Sequence, residues 1–449
     1  YTLLSLTQQH LNEDTIAVNF RCFVPNRGFS LLKKGRERTQ RGFRCVSTHY
    51  NIKDMDDFDV NDDDESKNRI IVNEEEEEEE EGGHVLFCGE EFPAGFESCA
   101  RHAMPLGVAI HNCPRGEVKR RIQRYDVAVP LMTRVDEDVL EGGGGTEEEE
   151  DKKGGRGGGK LKLVLQFGVG LEGVSIDAAT KRDIKVGRIR SDKTPNAQST
   201  AEMGVFLTLA ALKRANECRT SVLRRTLGAP MGHSLFGAHV LFIGFGRVAK
   251  AQARMMKHGF GCKIFALVRR KRGEGKREDN EEEEEEDKAL LEDTFEGDIS
   301  NVDFVGRFPS EGNNVVVVAC TCTRENRKMV NDHFIEQLKF GEKRVPGIVV
   351  NVARGALVDE RAMRMACDSG KVLYYATDVC FEEPVDVDGD LLGPDENGKR
   401  ASNIFVTPHV GGVTVNSYEK MGKIIAEYAA KIVNEKKEIE SDECVSIVN

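Results

Sequence analysis

The chain has 449 residues, 39% of them hydrophobic, and a formal net charge of −13 at pH 7. That length leaves room for two or three domains with a sizeable core, and the negative charge argues against nucleic acid as a partner. Twelve cysteines without a C-x-x-C pair, the closest being Cys320 and Cys322, favour reduced thiols over a disulfide framework or a metal site, and no stretch reaches the roughly 18 uninterrupted apolar residues of a membrane span.

Residues 1–82 differ from the rest. The first fifty are basic, with Arg21, Arg27, Lys33, Lys34, Arg36, Arg38, Arg41 and Arg44 against Glu13, Asp14 and Glu37, and the next thirty are acidic. A basic, acid-poor start resembles the remnant of a plastid or other organelle presequence; an untranslated leader is the alternative, since the chain opens on Tyr1. Acid also clusters in Glu74–Glu81, Glu147–Asp151 and Glu281–Asp287. Runs of like charge repel themselves and stay solvated, so the low-complexity stretches 141–160 and 271–298 read as disordered insertions.

From His84 a second organisation begins. Apolar runs His84–Cys88, Gly107–Ile110, Tyr125–Met132 and Leu161–Phe167 alternate with short helical candidates, as in a parallel sheet. Gln166–Val174 is then a glycine-rich loop after a strand, either a tight turn or a set of backbone N–H groups offered to a carboxylate. Asn196–Arg225 reads as one long helical region with Ala201, Val205, Leu207, Leu209 and Leu212 on its apolar face.

The centre of the chain is a buried strand, Val240–Ile243, followed by Gly244-Phe245-Gly246-Arg247-Val248-Ala249 and a helix carrying Val248, Ala251 and Met255. In G-x-G-x-x-A the first glycine makes the turn, the second admits a pyrophosphate and the small third residue lets helix and strand pack closely. A structural strand-turn-helix is the plainer reading, but four strand-like runs follow and favour dinucleotide binding. Lys263–Val268 is the next strand; where an acid would accept the ribose hydroxyls of NAD, Val268 stands, followed by Arg269, Arg270, Lys271 and Arg272. Guanidinium groups pair with a 2′-phosphate, which favours NADP over NAD, unless the basic run merely opens the acidic insertion.

Strands Asn314–Cys320, Ile348–Ala353, Leu373–Val379 and Ile404–His409 complete the pattern. Ligands gather at the carboxyl ends of such strands, where Arg354, Glu383 and His409 stand. Reduction of a carbonyl leaves an alkoxide that histidine can protonate near neutral pH. A carboxylate on its ring would favour the imidazolium and fix its orientation, and arginine would clamp a substrate carboxylate and polarise the adjacent carbonyl. Singly, each has a bland reading as a helix-start charge, a loop acid or a turn histidine.

Together, Asn351–Asp359, Asp378–Pro384 and Thr407–Val413 resemble, in order, the three signatures of the D-isomer-specific 2-hydroxyacid dehydrogenases. The resemblance extends to Gly168–Gly170, Asn196–Glu202 and the glycine motif, and covers about residues 84–449 apart from the insertions. The wording of Leu165–Val174 and Val406–Thr414 resembles a plant and algal branch. It implies His409 as general acid/base, Glu383 as its partner and Arg354 as the clamp, with Val169 and Gly170 offering N–H groups to the substrate carboxylate. It also implies Gly244, Gly246, Arg247, Val248, Cys320, Ala353, Asp378, His409 and Gly411 around the dinucleotide; the basic run puts Arg269 and Arg270 at its ribose, and no metal is expected. Cys320-Thr321-Cys322 stands where the family usually has Cys-Pro-Leu, and Met203 where histidine is common.

The expected fold class is α/β, two Rossmann-like or flavodoxin-like domains with parallel sheets and an interdomain cleft. Residues 195–411 would bind the dinucleotide, and 83–194 plus 412–449 the substrate, the C-terminal helix Ser417–Asn434 burying Met421, Ile424, Ile425, Tyr428 and Ile432. The expected activity is reversible reduction of a small 2-keto acid by a homodimer with NADP or NAD. Phosphoglycerate dehydrogenase-type activity, a dinucleotide-sensing corepressor-like protein and a degenerate homologue are the rival readings.

Overall fold

The structure is a computed structural model, and it describes residues 22–25, 43–46, 84–141, 160–269, 281–297, 299, 314–338, 347–395 and 397–449. The acid and glycine of 142–159, the basic residues 270–272 and nearly all of the expected presequence lie outside the described residues. Tyr1–Glu80 and Glu81–Asn449 are two compact units. In the first, β1 (Cys22–Pro25) and β2 (Phe43–Val46) pair antiparallel.

The second unit holds two sheets. The first lobe runs β3 (Val85–Cys88), α1 (Pro93–Ala103), β4 (Ile110–Cys113), α2 (Val118–Arg121), β5 (Val127–Pro130), α3 (Glu137–Glu141), β6 (Leu163–Gln166), α4 (Ile176–Lys181) and β7 (Lys185–Ile189). After α5 (Asn196–Leu212) and α6 (Ala215–Leu223), the second lobe runs β8 (His239–Ile243), α7 (Arg247–Phe260), β9 (Lys263–Val268), α8 (Glu281–Leu290), β10 (Asp293–Glu296), β11 (Asn314–Val318), α9 (Asp332–Gln337), β12 (Gly347–Asn351), α10 (Glu360–Asp368), β13 (Tyr374–Thr377) and β14 (Ile404–Val406). Finally α11 (Val415–Val433) and β15 (Val445–Ile447) return to the first lobe, where β15 pairs antiparallel with β7.

The second-lobe sheet has the order β10-β9-β8-β11-β12-β13-β14, parallel throughout. This is the doubly wound order of dinucleotide-binding folds, and it reverses between β8 and β11. The first-lobe order, β15-β7-β6-β5-β3-β4, is flavodoxin-like. Strands covered by helices on both faces read as continuous apolar runs, and every residue of β11 and β12 is buried.

Helix α11 packs on α1. Its Met421, Ile424, Ile425, Tyr428 and Ile432 are all at most 5% exposed. At roughly 1.5–3 kcal/mol per buried large apolar side chain, an upper estimate, this face stabilises the first lobe by on the order of 10 kcal/mol.

Three expectations are corrected. The helical region 196–225 is two helices, because Arg214 takes a left-handed turn at φ 58° and its guanidinium bonds the Tyr374 hydroxyl at 2.9 Å. The strand expected at Gly107–Ile110 starts at Ile110, since Gly107 at φ 69° closes a helical turn over Met104–Leu106. The stretch 271–298 is not all insertion: Glu281–Leu290 is helical and Asp293–Glu296 is the edge strand β10. There Leu290 packs into the core and carries Asp287 inward to a 3.2 Å ion pair with Lys250.

Candidate active site

The turn after β8 lies where the strand order reverses. Gly244 has φ +85°, and a Cβ there would stand 2.5 Å from the Cys320 Cβ at the end of β11. Only glycine fits, on conformation and on space. Nothing lies within 4 Å of a Cβ placed on Gly246, which opens α7 without a side-chain cap. Uncapped N–H groups beside open space fit a pyrophosphate, so Gly244, Gly246, exposed Arg247 and half-buried Val248 would hold it. Burial pushes the Cys320 thiol up to about 11, and the Leu267 carbonyl accepts the Gly244 N–H at 2.8 Å, so the strand that ends just before Arg269 runs beside the same turn.

The ends of β12, β13 and β14 converge. Asn351, fully buried, accepts the Ala353 N–H at 3.0 Å and donates to the Arg354 carbonyl at 3.0 Å, fixing the turn that presents Arg354. After β13, Asp378 is 3% exposed. One of its oxygens accepts from the Thr407 hydroxyl (2.6 Å) and the Val410 N–H (2.9 Å), the other from the Gly411 N–H (2.7 Å). Those bonds pin the loop on which His409 sits at φ 56°. Met203 packs on the same loop, its sulfur 3.9 Å from the Thr407 hydroxyl.

His409 Nδ1 lies 2.7 Å from Glu383 Oε2, and Glu383 Oε1 accepts the Cys380 N–H at 3.1 Å. Burial raises the Glu383 carboxyl, but the His409 hydrogen bond and charge, the Cys380 N–H and Arg354 together hold it below its ordinary value. With Nδ1 engaged, Nε2 is the ring nitrogen left for a ligand.

The first lobe contributes the loop after β6. Arg354 Nη2 lies 3.3 Å from Glu172 Oε2 on that loop, and Nη1 donates to the Ala353 carbonyl at 2.7 Å. A Cβ on Gly170 would run into both the Arg354 guanidinium and the Glu172 carboxylate. The structure thus brings Gly170 to Arg354, with Val169 its neighbour in the same loop, and Arg354 acts on Glu383. Ala353 and Gly411 are buried supports, and Arg270 lies outside the described residues. Sequence reasoning missed Glu172; it is the one charged residue between Gln166 and Ser175, a signal that could have found it.

A polar cavity of about 620 Å³, lined by Arg214, Glu217, Arg364, Tyr374 and Arg400 among others, lies instead by the start of β13. None of the candidate-site residues lines it. No metal-ligating cluster and no helix long and apolar enough to cross a membrane occurs among the described residues, and the ten cysteines from Cys88 to Cys444 are free.

The D-isomer specific 2-hydroxyacid dehydrogenase, NAD binding domain, matches residues 205–299 and 310–411. A glyoxylate reductase of Pyrococcus horikoshii is 26% identical over 326 residues, 70% of this chain and 81% of the relative. D-3-phosphoglycerate dehydrogenase 2, chloroplastic, of Arabidopsis thaliana is 29% identical over 276 residues, 61% of this chain and 38% of the relative. In fold, the chain is similar to the apo-structure of D-lactate dehydrogenase from Escherichia coli, with a TM-score of 0.58 at 18% identity over 78% of this chain and 97% of that one.

Proposed function

Because the chain belongs to the D-isomer-specific 2-hydroxyacid dehydrogenases, we propose that it reversibly reduces a small 2-keto acid of the glyoxylate or hydroxypyruvate type to the D-2-hydroxy acid, with NADPH preferred. The observation that carries this is the 2.7 Å His409–Glu383 contact beside Arg354, across from the Gly170 loop. A nicotinamide cofactor, when bound, supplies the reducing equivalent. Arg354 and the loop backbone hold the carboxylate and polarise the adjacent carbonyl. His409, oriented by Glu383, delivers the proton from Nε2 as negative charge develops on that oxygen. Closure of the lobes excludes water.

A steady-state panel of 2-keto acids with NADPH and NADH tests this, with turnover of glyoxylate or hydroxypyruvate expected. His409→Asn should bind cofactor normally and lose roughly 10²–10⁴-fold in turnover. Cofactor binding without turnover of any 2-keto acid would instead leave a dinucleotide-sensing role. Phosphoglycerate dehydrogenase-type activity is the second reading, supported by the likeness to the Arabidopsis relative.

The cofactor preference rests on Val268 in place of an acid and on exposed Arg269 after it. A charge-assisted hydrogen bond of about 1.5–3 kcal/mol makes roughly a ten- to hundredfold preference, so replacing Arg269 and Arg270 by serine should raise the Michaelis constant for NADPH and leave that for NADH nearly unchanged. Equal use of both cofactors by the unmodified protein removes the preference. A homodimer is proposed on the exposed apolar residues Val222, Leu223, Leu227, Met231 and Phe236, for sedimentation to check. An organelle destination is proposed on the basic residues 1–50, for an import assay to check.

A further inference from the structure

The prong of Arg354 that faces the first lobe is already taken by a carboxylate of this chain. Nη2 meets Glu172 Oε2 at 3.3 Å, while Nη1 is spent on the Ala353 carbonyl. The two groups meet directly over the α-carbon of Gly170, the backbone that would also serve a substrate carboxylate. A 2-keto acid held there has to take Arg354 from Glu172.

The pair is built to be broken. Arg354 and Glu172 are 39% and 42% exposed, and ion pairs at such exposure are weak and screened. Glu172 leaves Arg354 at little cost, but its charge stays beside the subsite because the loop carrying it is held: Val135 donates to the Gly173 carbonyl at 2.8 Å and Val174 to the Leu171 carbonyl at 3.0 Å. Arg327, whose charge reaches Cys322 together with those of Glu172 and Arg354, has its guanidinium 5.5 Å over the Phe381 ring.

We propose that Glu172 is a specificity-determining residue: it competes with the substrate carboxylate for Arg354, and its charge beside that subsite selects 2-keto acids bearing one negative charge over those bearing a second anionic group. The proposal rests on the reductase reading above and deepens it, since it places phosphorylated and dicarboxylic 2-keto acids among the poor substrates.

Glu172→Gln keeps the shape and removes the charge. Oxamate, a monoanion, and oxalate, a dianion, are titrated calorimetrically into wild type and variant with NADPH present. The affinity for oxamate should rise by up to about fivefold, the scale of a partly exposed ion pair, and that for oxalate by more. With any 2-keto acid that turns over, KM should fall with kcat unchanged. Unchanged or weaker affinities, or a fall in kcat at constant KM, would overturn the proposal and make Glu172 a support that orients Arg354. Should wild type turn over no 2-keto acid, the reductase reading fails while the titrations still decide whether Glu172 competes.

Discussion

The two sheets put different kinds of group at their carboxyl ends. The six-stranded sheet ends β6 in Gly168-Val169-Gly170, which offers backbone, whereas the seven-stranded sheet ends β12, β13 and β14 in Arg354, Glu383 and His409, which offer side chains. Backbone donors need only the path of the chain. An acid/base side chain must also be aimed, and the second lobe does this with buried carboxylate and amide groups, Asp378 under the His409 loop and Asn351 under Arg354. The proposed acid/base pair and clamp would therefore sit on the lobe whose polar network is sequestered from water, and the backbone donors on the lobe whose loop is half exposed.

Two glycines test that contrast. A Cβ on Gly355 would overlap the Cys380 carbonyl and the Phe381 nitrogen, fixed backbone on the Glu383 turn. Gly355→Ala should therefore cost more than about 3 kcal/mol of unfolding free energy, an overpacked site with nothing flexible to yield. On Gly170 the Cβ would meet only the tips of Arg354 and Glu172. Gly170→Ala should keep stability within roughly 0.5 kcal/mol and lose about ten- to a hundredfold in kcat/KM through misplaced reacting groups. Equal melting losses in both variants would break the comparison.

Between these lies Arg354→Lys, which keeps charge and loses the fork. A fall of kcat/KM by roughly 10²-fold is expected, the lower scale of a removed electrostatic contact at a reacting centre. Retention of full activity would mean that the substrate carboxylate is held elsewhere.

The periodic apolar runs and glycine motif made the doubly wound sheet legible, because a strand buried on both faces has no other composition. Arg354, Glu383 and His409 were legible as chemically capable groups at strand ends. What the sequence hid has a common cause. Asp293–Glu296 has two acids among four residues and reads as surface, yet pairs with β9 as an edge strand. Glu281–Asp287 reads as solvated acid until Leu290 buries its last turn against the core. Glu172 stands out as the lone charge of its glycine-rich loop, but nothing local names its partner Arg354, which stands 182 residues away. Tertiary partners decided each of these, and no local period encodes them.

The smallest expected effect separates orientation from stability at the acid/base pair. The folded carboxyl of Glu383 is held below its ordinary 4.5, with burial opposing and the His409 contact, the Cys380 N–H and Arg354 favouring the charged form. A depressed carboxylate contributes stability that is fully present above its unfolded value and is lost as pH falls through the folded value. Glu383→Gln keeps the shape without the charge, so wild type should unfold with about 1 kcal/mol more free energy than the variant near neutral pH. Denaturant titrations between about pH 7 and about pH 3 should show that gap narrowing as the pH falls toward the folded value, because protonation of the wild-type carboxyl removes the charge that distinguishes the two side chains. If the gap stays constant across that range, Glu383 serves His409 by position alone, and the second lobe aims its histidine by geometry rather than by charge.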